Sequence, residues 1–445
     1  MKNIIKGIKN FFNPKIYNES SGKRYLHVDK YLKKFSSERA INFMTAMFDS
    51  TEEYLRTKER IRIGFVAHTS SEWQCDEIYN ILNDNERFDL SIFLVGHGKK
   101  ISRKQKIKEM QAYFSEKKYK NVINLYNHPI RAFKCLEGCD LIVYMIPYAS
   151  LHPTITNFSY RRVNQLVILL PYGIMQTDRK SAYYNRGYLY DKPIYKMCWK
   201  YFSSSRVEQR LIEQDSCMRG YNSFFLGFPK IDELVNKTYH KRLELWKNDE
   251  NTKKKIIWAP HFNQKEGANG TFFENYRWFY EYAKNRTDIS WVVRPHPRMS
   301  AGTISAGIFH NKKEYDEYIN AWNNLLNAKV IEGGDYYDIF DTSDAMILDS
   351  VSFVAEYFYT GKPLLILEPN SNREFNELGV VLRQSAYHAR GNDYTSIEHF
   401  IDILIEKDPK KNERDEVLQK YLNRNDSYSV SKAICDTIFD KLCLK

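Results

Sequence analysis

Residues 343–363 constrain the fold of this chain more than any other stretch, because they read as strand, turn and helix and lead directly into a second strand. The apolar run 345–348 predicts a buried parallel strand, which the polar segment 349–352 (Asp-Ser-Val-Ser) ends abruptly. A short helix follows, and Gly361 ends it before a second apolar strand at 364–367. Two parallel strands joined by a helix are the repeating unit of an open, doubly wound α/β sheet.

Ser350 and Ser352 place two hydroxyl groups at this predicted strand-to-helix junction. Free backbone N–H groups and the helix dipole favour an anion there, and ligands of open α/β sheets bind at the carboxyl ends of strands. The alternative is that one serine only caps the helix. Glu356 follows one helical turn after Ser352, either as an acceptor for ribose hydroxyls or as a solvated helix residue.

Strand and helix patterns alternate along the rest of the chain as well. The predicted strands are 60–68, 90–95, 141–146, 166–170, 198–203 and 223–226 in the first half, and 255–259, 290–293, 329–332, 345–348 and 364–367 in the second. A charged, helix-like stretch at 236–255 separates the halves. We therefore predict an α/β fold of two doubly wound Rossmann-like domains facing a cleft, with N-terminal helices; a single large sheet is the less economical alternative.

The domain limits follow from these patterns. We predict a basic, amphipathic helical segment at 1–58, a first domain at 59–240, a second domain at 250–410 and C-terminal helices at 411–445. A chain of 445 residues is too long for one ordinary core, so two or three domains are expected.

The net charge of +12 is concentrated in two segments. Residues 1–34 hold nine Lys and Arg against two Asp and Glu, and residues 99–120 hold the same numbers, so each segment carries +7. The remaining chain is therefore close to neutral, at about −2. Two basic surfaces favour anionic partners, and the absence of zinc-finger, RRM and helix-turn-helix patterns argues against nucleic acid.

Residues 1–13 form an amphipathic pattern, with isoleucines and phenylalanines on one helical face and lysines beside it. This pattern is typical of a helix lying in an anionic membrane interface, and the alternative is a helix docked on its own protein. No apolar run approaches the ~20 residues of a membrane span. The seven cysteines are scattered and no signal peptide precedes them, so we expect reduced thiols in the cytoplasm.

Strand ends of the second half carry residues that bind anions or transfer protons. His261 follows the first of these strands, and Arg294, His296 and Arg298 follow the second. In a parallel sheet these ends lie along one edge, so we expect them to converge with Asp349 and the two serines. The arginines suit bidentate phosphate binding, and the histidines suit general acid–base catalysis. The alternatives are a rigid surface turn for the Arg-Pro-His-Pro segment and a structural, hydrogen-bonded side chain for His261.

The first half carries three further candidates, which we place on the acceptor side of a reaction. Tyr172 and Gly173 follow the strand 166–170, and a long polar segment comes after them. His68 ends the first strand, where a capping or structural role is its alternative. The chain contains no P-loop, kinase motif set, nucleophile elbow or His-Glu-x-x-His, and no cluster of metal ligands.

Four segments resemble the CDP-glycerol glycerophosphotransferase family of teichoic-acid and capsule polymerases and primases. Residues 343–353 resemble its Ser-Asp-x-x-Ile-Thr-Asp-Tyr-Ser-Ser-x-x-Phe stretch, and residues 227–234 are similar to its Gly-Tyr-Pro-Arg-x-Asp-x-Leu segment. Trp-Ala-Pro at 258–260 resembles its Tyr-Ala-Pro, and Arg-Pro-His-Pro at 294–297 resembles its Arg-x-His strand end. Each motif is modest, but four in the family's order are fairly specific.

The resemblance implies a GT-B fold and a cytoplasmic enzyme at the inner face of a bacterial cell membrane. It implies a CDP-activated polyol phosphate as donor, with His296 as an active-site histidine and Ser350 and Ser352 as donor-phosphate contacts. The donor is itself a substrate, so no cofactor is expected. One departure stands out, because the family's Trp-His-Gly is Pro-Tyr-Gly at 171–173. Since Tyr172 has an unperturbed pKa of about 10, His68 or His261 is the substitute base, or the acceptor or reaction differs.

The leading hypothesis is a transferase that moves glycerol phosphate from CDP-glycerol to a hydroxyl of a surface glycan or of a teichoic or capsular polymer, releasing CMP. The 1–34 and 99–120 segments would hold it near anionic lipid or a polyanionic acceptor. One alternative is a GT-B glycosyltransferase that uses a nucleotide sugar. The other is a non-catalytic GT-B-like assembly subunit. The motifs fit a polymerase and a single-unit transferase equally.

Overall fold

A computed structural model of the chain describes residues 25–26, 35–70, 72–95, 100–126, 128–147, 161–162, 165–177, 190–242, 244–264, 270–369, 374–423 and 428–443. These residues form two compact units. The first contains the described residues of 1–173, 179–230 and 429–445, and the second those of 174–178 and 231–428. The predicted amphipathic helix at 1–13 lies outside the described residues.

The first unit is built on a parallel sheet. Its strands are β1 (Tyr25–Leu26), β2 (Ile61–Ala67), β3 (Phe88–Leu94), β4 (Val122–Asn124), β5 (Leu141–Tyr144), β6 (Arg161–Arg162), β7 (Leu166–Leu169), β8 (Lys200–Ser203) and β9 (Ser223–Phe225). Within the described residues β1 pairs with β6 antiparallel, and the other strands form one parallel sheet in the order β4-β3-β2-β5-β7-β8-β9. Every residue of β5 and β7 is buried, as expected for parallel strands covered on both faces.

Helices pack around this sheet. They are α1 (Ser37–Arg56), α2 (Asp76–Asn83), α3 (Lys100–Glu116), α4 (Pro129–Gly138), α5 (Pro193–Met197) and α6 (Arg206–Asp215). The basic segment predicted to be helical is α3, which buries Ile107, Met110 and Phe114 and exposes Lys104 and Lys108. Apolar residues at helical spacing thus fix α3 on the unit, and its lysines face outward.

The second unit has a parallel sheet of the same design. Its strands are β10 (Lys254–Ala259), β11 (Ile289–Val293), β12 (Ala328–Val330), β13 (Ala345–Leu348), β14 (Leu364–Glu368) and β15 (Tyr387–Arg390), in the order β12-β11-β10-β13-β14-β15. In chain order this is 3-2-1-4-5-6, the order of a Rossmann fold, and the first unit follows the same rule. The predicted pair of doubly wound α/β domains is confirmed.

The second unit's helices separate most of its strands. They are α7 (Ile231–Val235), α8 (Phe272–Asn285), α9 (Met299–Ser305), α10 (Lys312–Asn324), α11 (Tyr337–Thr342), α12 (Ser352–Phe358), α13 (Glu377–Gln384), α14 (Tyr394–His399), α15 (Ile405–Lys407) and α16 (Lys411–Leu422), while α17 (Val430–Leu442) belongs to the first unit. A π-helical segment, Phe400–Leu404, joins α14 to α15. In the core, the ring of Trp258 stacks on Phe279 with centroids 4.5 Å apart.

The structure differs from the sequence predictions at several places. The strands β4 and β15 were not predicted, because these short edge strands are only partly buried and lack a continuous apolar run. The helix predicted at 236–255 is wrong, since the only helical element in the described residues of 236–253 is a single 3₁₀ turn, Asp249–Asn251, and Lys254 begins β10. The terminal helices grouped as 411–445 divide between the units, and residues 174–178 lie with the second unit. Among the described helices, none is long and apolar enough to span a bilayer.

Candidate active site

The carboxyl ends of β10 and β13 form the centre of the candidate site. These two strands are adjacent, and the strand order reverses between them. His261 follows β10, and Asp349 directly follows β13. The backbone N–H of His296, beyond β11, donates to the carbonyl of Pro260 at 3.3 Å. The structure therefore brings these three predicted residues to the edge where doubly wound sheets bind ligands.

The Asp349 carboxylate holds the connection between β10 and α8 at both of its ends. Its Oδ1 accepts from the backbone N–H of His261 at 2.6 Å. Its Oδ2 accepts from the backbone N–H of Thr271 at 2.6 Å and from the Thr271 hydroxyl at 3.1 Å. Burial raises the pKa of Asp349 to about 6, although these hydrogen bonds act in the opposite direction. Asp349 was predicted among the donor-binding residues, and the structure directs both of its oxygens to the protein.

The two histidines have one protonation pattern in common. The Nδ1 atom of His261 accepts from the backbone N–H of Asn263 at 3.2 Å, and Nδ1 of His296 accepts from that of Arg298 at 3.0 Å. An Nδ1 that accepts a hydrogen bond leaves the proton of a neutral imidazole on Nε2. The ring centroids are 5.6 Å apart. In its neutral form each ring therefore carries its proton on Nε2 at this edge.

His296 stays neutral at physiological pH. Burial lowers its pKa to about 4, and the nearby positive charge of Arg298 adds to this effect. The His296 ring packs on the Phe262 ring with centroids 4.5 Å apart. The exposed guanidinium of Arg298 lies 4.4 Å from the centroid of the Phe262 ring. His296 is thus suited to donate a hydrogen bond to an anion, whereas accepting a proton at Nε2 requires breaking the contact at Nδ1.

Arg294 is directed at backbone carbonyls. Its Nη1 donates to the carbonyl of Ile331 at 2.9 Å and to that of Gly333, and its Nη2 donates to the carbonyl of Gly334 at 2.7 Å. Burial lowers the pKa of Arg294 to about 10, and the charge of Arg242 contributes. The guanidinium thus holds the turn that follows β12. The surface-turn alternative does not describe this buried residue, and its predicted role as a phosphate clamp remains a prediction.

Ser350 and Ser352 lie on the turn between β13 and α12. The N-cap residue of α12 is Val351, and no side chain makes a capping hydrogen bond there, so the capping alternative is not observed. Ser350 is buried and Ser352 is exposed. The Nε2 of Gln176 donates to the carbonyl of Val351 at 2.8 Å.

Glu356 points into the protein. Its Oε2 accepts from the hydroxyls of Tyr336 at 2.7 Å and Tyr337 at 2.8 Å, and its side chain is buried. The solvated-residue alternative is therefore wrong. Its predicted contact with a ribose stays a prediction.

The acceptor-side candidates lie at the corresponding edge of the first unit. His68 follows β2 and is 2% exposed, whereas Tyr172, shortly after β7, is 45% exposed. The strands β2 and β7 flank β5, so their ends are two strand spacings, roughly 10 Å, apart. The buried Gln74 donates to the carbonyl of Pro171 at 2.7 Å and fixes the turn that carries Tyr172 and Gly173.

Sequence reasoning missed three features of the second unit's edge. Thr271 lies 78 residues from Asp349 along the chain, and nothing in its own sequence context marks it as a partner. Gln176 belongs to a polar stretch that gives no sign of joining the second unit. The pair Gly333 and Gly334 follows a predicted strand and is a recognisable turn signal. Among the described residues, no group of three or more His, Cys, Asp or Glu side chains is arranged to hold a metal ion.

Solved structures share the fold of this chain. The wall teichoic acid polymerase TagF matches with a TM-score of 0.57 and 14% identity, covering 93% of this chain and 97% of that one. TagF after a soak with CDPG matches with a TM-score of 0.57 and 12% identity, covering 94% and 96%. The UDP-GlcNAc 2-epimerase of Neisseria meningitidis, bound to UDP-GlcNAc, matches with a TM-score of 0.55 and 13% identity, covering 85% and 100%. No curated protein matches the chain by sequence.

Two Rossmann-type sheets and a polar edge at the switch point of the second define an α/β protein of the GT-B class, as in these structures. The family model described as CDP-glycerol:poly(glycerophosphate) glycerophosphotransferase matches residues 104–440. The chain belongs to this family, as its four motifs predicted. It is therefore a glycerophosphotransferase-type enzyme. The alternative of a non-catalytic subunit is not supported.

Proposed function

We propose that this enzyme transfers glycerol phosphate from CDP-glycerol to a hydroxyl group of a teichoic-acid-type or capsular polymer. The observation that carries the proposal is the convergence of His261, His296 and the 349–352 turn at one switch point, inside the residues that the family model matches. The CDPG soaked into TagF, which has the same fold, supports a cytidine-linked donor.

The reaction is a displacement at phosphorus. The acceptor hydroxyl oxygen forms a bond to the β-phosphorus of the donor, and the bond from that phosphorus to the bridging oxygen breaks. The bonding pair leaves with CMP, and the acceptor proton passes to a base. Charge on the non-bridging oxygens is present throughout, so positioned donors and cations are the main means of catalysis.

His296 supplies one such donor through Nε2–H, and the exposed Arg298 supplies positive charge beside it. The hydroxyls of Ser350 and Ser352 complete the phosphate contacts in this proposal. In their neutral forms His261 and His296 carry the proton on Nε2, so neither is poised as the base. The remaining candidate base from the sequence is His68, in the first unit.

The enzyme is proposed to work in the cytoplasm, against the inner face of the membrane. The exposed lysines of α3 and the basic segment 1–34 support attraction to anionic lipid or to a polyanionic acceptor. An acceptor of linked glycerol phosphates carries one negative charge per unit and suits such surfaces.

A thermal-shift screen of the full chain tests the donor. CMP, CDP-glycerol, CDP-ribitol, UDP, UDP-sugars and GDP-sugars are compared, because a ligand that binds only the folded protein raises the melting temperature. We expect stabilisation by cytidine compounds, weakened in His296→Ala and Ser352→Ala and retained in Ser115→Ala, an exposed serine of α3. Stabilisation by a UDP- or GDP-sugar alone would instead favour the nucleotide-sugar glycosyltransferase, and no response to any nucleotide would contradict both.

A further inference from the structure

Residues 174–177 are part of the second unit, although the chain on both sides of the segment 174–178 belongs to the first. We call residues 174–177 the strap. Gln176 lies in the strap, is 4% exposed, and donates from Nε2 to the carbonyl oxygen of Val351 at 2.8 Å. Val351 separates Ser350 from Ser352. A buried glutamine of the strap is thus bonded to the turn that carries both proposed phosphate contacts.

Asn376 fixes the strap on the second unit. Its backbone N–H donates to the carbonyl of Gln176 at 3.0 Å, and its Nδ2 donates to the carbonyl of Met175 at 2.9 Å. Its Oδ1 accepts from the backbone N–H of Gly379 at 2.9 Å and caps α13. Thr177 forms an antiparallel bridge with Phe375. The strap therefore has a defined position before its glutamine reaches Val351.

Gly379 makes this close packing possible. A methyl group added at Gly379 would overlap the carbonyl oxygen of Gln176. The strap thus lies directly on the first turn of α13, and Gln176 has little freedom to move away from Val351.

We propose that Gln176 is a positioning residue for the donor phosphates, an inference that rests on the proposed function. The carbonyl of Val351 and the N–H of Ser352 belong to one planar peptide, so holding the carbonyl fixes the plane and the direction of the serine that follows. The same carbonyl also accepts from the backbone N–H of Val354 at 3.3 Å, so Gln176 adds a second and shorter hydrogen bond that further restricts rotation of this peptide. Gln176 acts through Val351 and does not itself touch the donor.

The test compares Gln176→Leu with a matched control, Gln165→Leu. Gln165 is also a buried glutamine, 6% exposed, and its Nε2 donates to the carbonyls of Leu136 at 2.7 Å and Cys139 at 2.8 Å in the first unit. The dissociation constants of CDP-glycerol and of cytidine, which has no phosphate, are measured for the full-length protein and both variants, together with the melting temperature.

We expect Gln176→Leu to weaken CDP-glycerol binding about tenfold, because a displaced Ser352 loses about one hydrogen bond to a donor phosphate, and to leave cytidine within about twofold. Gln165→Leu lowers the melting temperature without changing the ratio of the two constants. An equal loss for both ligands, or no loss, overturns the positioning role. Wild-type protein that binds neither ligand overturns the proposed function, and this inference with it.

A second variant covers the case in which Gln176→Leu does not fold. Asn376→Asp keeps the oxygen that caps α13 but replaces the amide that donates to the carbonyl of Met175. We expect it to loosen the strap and to weaken CDP-glycerol selectively, by a smaller factor. Unchanged selectivity in this folded variant counts against the inference.

Discussion

His296 has a defined hydrogen-bonding role at the residue scale. Its Nδ1 accepts from the backbone of Arg298, and its lowered pKa keeps it neutral, so Nε2–H is what it offers to a ligand. His296 is therefore suited to donate a hydrogen bond and not to act as a general base, although a histidine can in general donate or accept a proton.

A glutamine at this position separates the two roles of His296. A glutamine side chain carries a donor close to the position of the histidine Nε2, so His296→Gln retains partial activity, whereas His296→Ala loses about 100-fold in kcat. Because the pKa of His296 is about 4, titration of this residue does not change kcat between pH 6 and pH 8. Steady-state kinetics with CDP-glycerol checks both points. A step in kcat near pH 6.5 that disappears in His296→Gln would contradict them.

Asp349 links pH to stability. Its pKa is about 6 in the folded protein and 3.8 by reference, so folding favours the protonated carboxyl. Its contribution to stability is therefore fully present below about pH 4 and is lost as pH rises through about 6. Compared with Asp349→Asn, which does not titrate, the wild type loses about 3 kcal/mol between these pH values. Urea unfolding at pH 4.5 and pH 7 should show about 2 kcal/mol of this loss, and an unchanged difference between wild type and Asp349→Asn would disprove the assignment.

At the element scale, two arginines hold the β12-to-α11 region: the buried Arg294 and the half-buried Arg242. Arg294 donates to three carbonyls of the turn, and Gly333 and Gly334 adopt positive φ values of 68° and 71° there. Arg242 donates to the carboxylate of Asp338, in the first turn of α11. Sequence reasoning placed Arg294 on a phosphate because its carbonyl partners, 37 to 40 residues away, are invisible in a local pattern.

Replacing Arg294 by lysine tests this structural role. Lysine has no planar fork to reach three carbonyls, so Arg294→Lys should lower the free energy of unfolding by about 2–4 kcal/mol and speed amide exchange across 331–336. Arg390→Lys, on the exposed face of the edge strand β15, should change stability by less than about 0.5 kcal/mol. If Arg294→Lys instead had wild-type stability and a raised KM for CDP-glycerol, the result would support the predicted role of Arg294 in binding phosphate.

At the scale of the whole molecule, the two sheets share the strand order 3-2-1-4-5-6, to which the first unit adds a seventh strand. Three of the family's four motifs lie in the second unit, and the fourth, residues 227–234, begins in the first. The second unit carries the polar edge described above, and the first carries His68, Tyr172 and the basic helix α3. The net positive charge is confined to two segments, 1–34 and 99–120, which together carry +14 against +12 for the whole chain.

Membrane association is the prediction at this scale. Removing residues 1–13 takes away the apolar stripe and its lysines, so the truncated protein should float less with anionic liposomes and keep its turnover on soluble acceptors. The full chain with neutral liposomes is the control. If the full and truncated chains floated equally with anionic liposomes, the prediction that residues 1–13 bind the membrane would be wrong.

The class of fold could be predicted from the amino-acid sequence alone, because parallel strands buried on both faces require continuous apolar runs, which are visible in the local sequence. The sequence also determined that His261, His296 and Asp349 meet, since the carboxyl ends of adjacent parallel strands share one edge. The hydrogen bonds of each side chain are visible only in the three-dimensional structure. Asp349 accepts a hydrogen bond from the backbone of Thr271, and Glu356 accepts hydrogen bonds from two tyrosine hydroxyls. The physical reason is that apolar periodicity is a local property, whereas hydrogen-bond partners of buried polar groups come from segments that only folding brings together.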